Sequence, residues 1–116
     1  MLARNQRLKK SELISRVLQK GRVLRWPHFT LKYLPGAGAN AQLTAVIPQK
    51  MYRGIVARNR LRRRAMALLR AQQAQAPVGC KVVMILQSTF PATKFAALSD
   101  ELARAFKQIN HGPSNY

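Results

Sequence analysis

The sequence predicts an α+β sandwich in which helices pack on one small sheet. Three observations carry that expectation. Period-2 alternation stands at 28–34, a second strand-like stretch at 42–47 follows turn chemistry, and a nearly continuous apolar run occupies 81–87. Apolar stripes with helical spacing stand before, between and after these strands. The length of 116 residues suits one domain, 1–116, with a modest single core.

The elements follow in order. SELISRVLQK, residues 11–20, reads as a short helix: Ser11 offers a capping hydroxyl, Glu12 suits the positive end and Gly21 stops it. Ile14, Val17 and Leu18 then share a face at i, i+3 and i+4. A short strand around Arg22–Trp26 comes next, with Pro27 after it. In HFTLKYL, Phe29, Leu31 and Tyr33 alternate with His28, Thr30 and Lys32, the pattern of a half-buried strand. PGAGAN, residues 35–40, is turn chemistry and QLTAVI, 42–47, is the next strand.

A second helix runs from about Ile55 to Gln73, where Leu61, Ala65, Leu68 and Leu69 gather on one stripe. Arg60, Arg63 and Arg64 are expected on the opposite side, with Arg58 and Arg62 flanking the stripe. Pro77 and Gly79 interrupt, and KVVMILQ at 81–87 is apolar enough to require cover on both faces. Phe95, Leu98, Leu102, Phe106 and Ile109 line one side of a last helix.

Charge narrows the function. The chain carries 21 Lys+Arg against 3 Asp+Glu, a formal net charge of +18 that no internal pairing neutralises. Such a surface attracts nucleic acid at long range. An anionic membrane is the other polyanion, but no apolar run approaches the roughly 18 residues of a spanning helix. The start MLARNQRLKK has no signal-like apolar centre, so a cytoplasmic nucleic-acid partner is expected and a membrane is not. Cys80 is the single cysteine, which rules out an internal disulfide, and its setting in CKVVMIL reads as a small buried hydrophobe. His28 and His111 have no metal-ligand spacing around them, and Glu12, Asp100 and Glu101 are the only acids. No catalytic residue and no metal ligand is expected on this chain.

The segment RNRLRRR, residues 58–64, packs five arginines and Asn59 into seven positions. No acid stands at i±3 or i±4, so salt-bridge lacing of a solvated helix face is missing. Guanidinium forks bind phosphate oxygens bidentately, and Asn59 both donates and accepts, which suits ribose hydroxyls and base edges. Seventeen of the 21 basic residues lie in positions 1–70, while two of the three acids lie in the last helix. A basic face and a more neutral back follow.

RLKKSE at 7–12, KG at 20–21, FTLKYL, AVIPQK at 45–50, ARNRLRRR at 57–64 and KVVMIL at 81–86 stand in an order that resembles the protein subunit of bacterial ribonuclease P, over nearly the whole chain. The resemblance implies an αβββαβα sandwich with one mixed sheet and a left-handed βαβ crossover through the arginine helix. It implies a role in removing the 5′ leader of precursor tRNA, with the catalytic centre and its Mg²⁺ ions in the RNA subunit; no obligate protein partner is evident in the sequence. Carried over by residue, Arg58, Asn59, Arg60, Arg62 and Arg63 match the signature that binds the catalytic RNA, with Arg64 completing the run and Lys50 and Arg53 on the approach. Arg7, Lys9 and Lys10 match the basic start of a leader-binding cleft, where Ile14, Leu18 and Lys32 also fall. The chain departs from the family in two places: Arg53–Gly54 reverses the usual glycine–basic order, and Ile14, Leu18 and Lys32 stand where aromatics are common.

Two other functions compete. A structural ribosomal-type RNA-binding protein has a similar composition but no reason for the ordered signature. A membrane-surface binder needs a basic amphipathic helix with an exposed aromatic edge and has no use for the sheet.

Overall fold

The computed structural model describes residues 6–8, 11–36 and 38–110. Seven main elements appear in the expected order: α1 (Ser11–Lys20), β1 (Arg22–Arg25), β2 (Phe29–Leu34), β3 (Gln42–Val46), α2 (Gly54–Ala71), β4 (Lys81–Leu86) and α3 (Phe95–Asn110). The strands form one sheet in the order β1-β2-β4-β3. β1 and β4 run antiparallel to β2, while β3 runs parallel to β4 and reaches it through α2. The sheet is therefore mixed, with a βαβ unit at one side of a hairpin.

The period of 2 in β2 decides which residues go where. Phe29, Leu31 and Tyr33 are buried on one face, beside Leu43 and Ala45 of β3 and Val82, Met84 and Leu86 of β4. That face meets Ala65, Leu68 and Leu69 of α2 and Leu98, Leu102 and Phe106 of α3. Fully burying one such large apolar side chain is worth about 1.5–3 kcal/mol, so this is the principal core. On the other face α1 packs a smaller cluster: Leu8, Val17 and Val83 are buried, and Leu13, Ile14, Leu18, Leu34, Val46 and Ile85 close around them. Cover on both faces of β4 explains its unbroken apolar run.

The edges of the sheet differ. Leu8 N–H donates to the Leu43 carbonyl at 3.0 Å, and Arg7 forms a parallel bridge with Leu43, so the leading segment lies along β3. At the other edge β1 is only four residues long and carries Arg22 and Arg25, which discourages pairing with another strand.

Gly21 ends α1 for a different reason from the one expected of a helix stop. Its N–H donates to the Val17 carbonyl at 2.8 Å, and a β-carbon there would strike that same carbonyl and crowd the backbone of Tyr33. The carbonyl of Val17 in α1 itself excludes a side chain, and the β2 backbone leaves little room beside it. Gly54 shows the opposite case: its φ is +79° with open space around it. Only the backbone conformation selects glycine at the start of α2. Gly54→Ala should lower stability by about 1–2 kcal/mol, the cost of a left-handed L-residue, as read from urea midpoints. An unchanged midpoint would mean that the turn relaxes freely.

Candidate nucleic-acid interface

α2 carries the arginine run because its apolar stripe holds one side against the sheet. Ala65, Leu68 and Leu69 are buried and Leu61 is half-buried, as the spacing requires. Arg58, Asn59, Arg60 and Arg63 are exposed, together with Lys50 and Arg53 on the turn that leads into the helix. Arg53 occupies the N-cap without a side-chain cap bond, and no acid stands in the first turn. The positive end of the helix therefore adds to the arginine charge instead of being offset by a carboxylate. No acidic residue occurs anywhere between Glu12 and Asp100.

Arg64 departs from the expected display. Its Nη1 donates to the Pro91 carbonyl at 3.0 Å and the Phe90 carbonyl at 3.4 Å, and its Nη2 donates to the Thr93 carbonyl. The guanidinium also stands over the Phe90 ring, 5.7 Å from its centroid. Position 64 is i+3 from Leu61 and i−4 from Leu68, which puts it at the border of the buried stripe rather than opposite it. Arg64 ties α2 to the 3-10 turn Phe90–Ala92, and both of its terminal nitrogens donate to the protein. In its place Arg70, two turns beyond Arg63, extends the exposed row with Asn59 and Arg63 along the outer face. The sequence reading stopped at position 64; continuing the helical period by seven residues finds Arg70.

A cleft of about 500 Å³ opens where α1, β3 and the start of α2 meet. Arg7 and Ile14 line one wall, Thr44 and Val46 the floor, and Arg58 and Arg62 the α2 wall. Arg62 Nη1 donates to the Ala45 carbonyl at 3.3 Å, which fixes that wall to β3. The structure thus brings together Arg7, Ile14, Arg58 and Arg62 from the expected set. It adds Tyr52, a half-buried aromatic that the sequence reading passed over between Lys50 and Arg53. An aromatic flanked by basic residues was the available signal.

Lys32 and Leu18 sit elsewhere. Leu18 packs with Val17 and Val83 under α1. Lys32 Nζ donates to the Leu18 carbonyl at 2.9 Å, so the ammonium caps the negative end of α1 and keeps two N–H groups for other partners. It lines a second groove, on the β1 side of the same sheet face. Lys9 and Lys10 lie outside the described residues.

Cys80 is buried, and burial pushes its thiol pKa up against a small opposing pull from Arg22. A raised pKa keeps the group a neutral thiol at neutral pH, which suits a packing role. Among the described residues, no three of His, Cys, Asp and Glu come together as a metal site. No described helix is long and apolar enough to cross a membrane.

Solved structures with the same architecture include RNase P proteins of two bacteria. The chain is similar to the RNase P protein from Thermotoga maritima in complex with 1-(4-fluorophenyl)-2-thiourea, at 20% identity, covering 88% of this chain and 98% of that one, with a TM-score of 0.75. It is similar to a Staphylococcus aureus RNase P protein mutant with defective mRNA degradation activity, at 15% identity, covering 90% of this chain and 88% of that one, again with a TM-score of 0.75. At such identities the likeness is one of fold. No curated protein sequence matches the chain. A family model described as Ribonuclease P matches residues 2–110, a span that contains every helix and strand among the described residues. That match decides between the two RNA-binding readings of the sequence, and the chain belongs to the ribonuclease P protein family, the protein part of a tRNA-processing ribonucleoprotein endoribonuclease.

Proposed function

We propose that this chain is the protein subunit that binds the catalytic RNA through α2 and the 5′ leader of precursor tRNA beside α1, assisting removal of the leader in the cytoplasm. The observation that carries the reading is the exposed face of Arg58, Asn59, Arg60 and Arg63 on a helix that itself carries no acid. Guanidinium forks there meet phosphate oxygens of a structured RNA, with Lys50 and Arg53 extending the contact around the helix start. Arg7, Ile14, Tyr52 and Arg62 in the neighbouring cleft suit a single strand, which needs cations for its backbone and flat or apolar surfaces for its bases. Lys32, with two spare donors, contributes from the second groove.

The bond-breaking chemistry belongs in this reading to the RNA subunit, which holds the Mg²⁺ ions. The protein's three carboxylates support that division of labour, because two are together on α3 and Glu12 stands on α1. The protein's part is electrostatic and positional: it neutralises phosphates that would otherwise repel one another as substrate and catalytic RNA approach. Reconstitution tests the reading. Purified chain alone should leave precursor tRNA intact at every Mg²⁺ concentration. Added to a bacterial ribonuclease P RNA at low Mg²⁺, it should raise the rate of leader removal. Cleavage by the RNA-free protein that disappears with one side-chain substitution overturns the division of labour; no stimulation of the RNA overturns the function.

A further inference from the structure

The outer face of α2 is not uniformly charged. Ala67 and Ala71 are exposed between and beside Arg63 and Arg70, which are exposed as well, and Met66 is half-buried next to them. Long side chains standing around two methyl groups leave a groove of about 840 Å³, whose described walls all come from this helix. That size suits a single small guest, since small-molecule sites run to about 300–1,000 Å³. Arg62 forms one wall and is held in place by its bond to the Ala45 carbonyl. Asn59 stands at the end nearer the start of α2.

The groove has the chemistry of a nucleotide site. Met66, Ala67 and Ala71 make an apolar floor, which the flat face of a base can cover and so remove from water. Arg63 and Arg70 stand seven residues apart, about 10.5 Å along the helix axis, so a base fits between cations that take its backbone phosphates. The Asn59 amide donates and accepts at once, the pairing that suits adenine N6 and N7. No acid occurs on the helix to repel a phosphate. In a duplex the faces of the bases are stacked out of reach, so the guest is unpaired.

We infer that this groove takes an unpaired adenine nucleotide of the catalytic RNA, with Asn59 on the base edge, the apolar floor under its face, and Arg63 and Arg70 on the flanking phosphates. The inference rests on the reading of α2 as the face for that RNA and adds a contact to a base, where guanidinium forks alone hold phosphates. It makes the part of α2 beyond the arginine run, from Met66 to Ala71, the place where one RNA is told from another.

Filling the groove tests the inference without touching charge. Ala67→Leu adds bulk at an exposed helical position that leucine suits, so its melting curve should match the parent. The full chain is titrated with a bacterial ribonuclease P RNA, with a fully paired RNA duplex, and with oligoadenylate and oligouridylate of equal length. Ala67→Leu should weaken binding of the catalytic RNA by about tenfold, the share of one base contact, with an unchanged salt slope. Duplex binding should stay the same. The parent should prefer oligoadenylate, and Ala67→Leu and Asn59→Ala should each lose that preference. Normal binding of the catalytic RNA by Ala67→Leu overturns the inference and leaves the reading of α2 standing. A loss that falls equally on the duplex, or an oligoadenylate preference that survives the filling, overturns it too. A parent that binds the catalytic RNA no better than the duplex removes both.

Discussion

Arg64→Ala will destabilise the fold by about 2–4 kcal/mol, whereas Arg63→Ala, one position earlier on the same helix, will leave stability nearly unchanged. Hydrogen bonds to a charged donor are worth about 1.5–3 kcal/mol each, and Arg64 makes three, to the carbonyls of Phe90, Pro91 and Thr93. Part of that is lost to screening, since the site is not fully enclosed. The Phe90 ring loses the cation above it as well. Arg63 makes no such contact to the body and projects into solvent. Urea unfolding of the two variants separates the roles, and RNA affinity measured on folded Arg64→Ala at low temperature completes the test. Equal midpoints would show that both arginines serve the surface alone.

The second large effect is on assembly. Converting Arg58, Arg60 and Arg63 together to alanine should lower affinity for the catalytic RNA by on the order of a hundredfold near 0.15 M salt, since each removes a phosphate contact. The slope of log affinity against log salt should fall in magnitude by roughly two to three. Arg104→Ala on α3, the helix with two acids, should change neither quantity measurably. Melting curves of the triple variant should match the parent, because all three side chains are exposed. If Arg104→Ala shifts the slope as much as any one of the three, bulk charge rather than the α2 face governs binding.

Periodicity made most of the fold legible. Alternation in FTLKYL placed Phe29, Leu31 and Tyr33 in the core, and the unbroken KVVMIL run announced a strand covered on both faces. Boundaries moved by one or two residues, as when α2 began at Gly54 and ended at Ala71. The site was less legible because it depends on which elements meet. An arginine at the edge of a buried stripe is indistinguishable in sequence from one in solvent until the 3-10 turn at Phe90 arrives to take its donors. Lys32 likewise looks like any outward strand residue until the end of α1 lies above it. Tyr52 gave a weak signal because it stands outside a regular element, where no period assigns a face.

β2 and β3 are neighbours in the chain yet never pair, for β4 lies between them and holds both. A growing polypeptide that has reached residue 80 owns only the β1–β2 hairpin, and β3 has no partner strand to receive it. The four-stranded sheet is complete only once residues 81–86 stand between β2 and β3. Closing that gap joins segments some fifty residues apart in sequence, Phe29 with Leu86, a slow event for so short a chain.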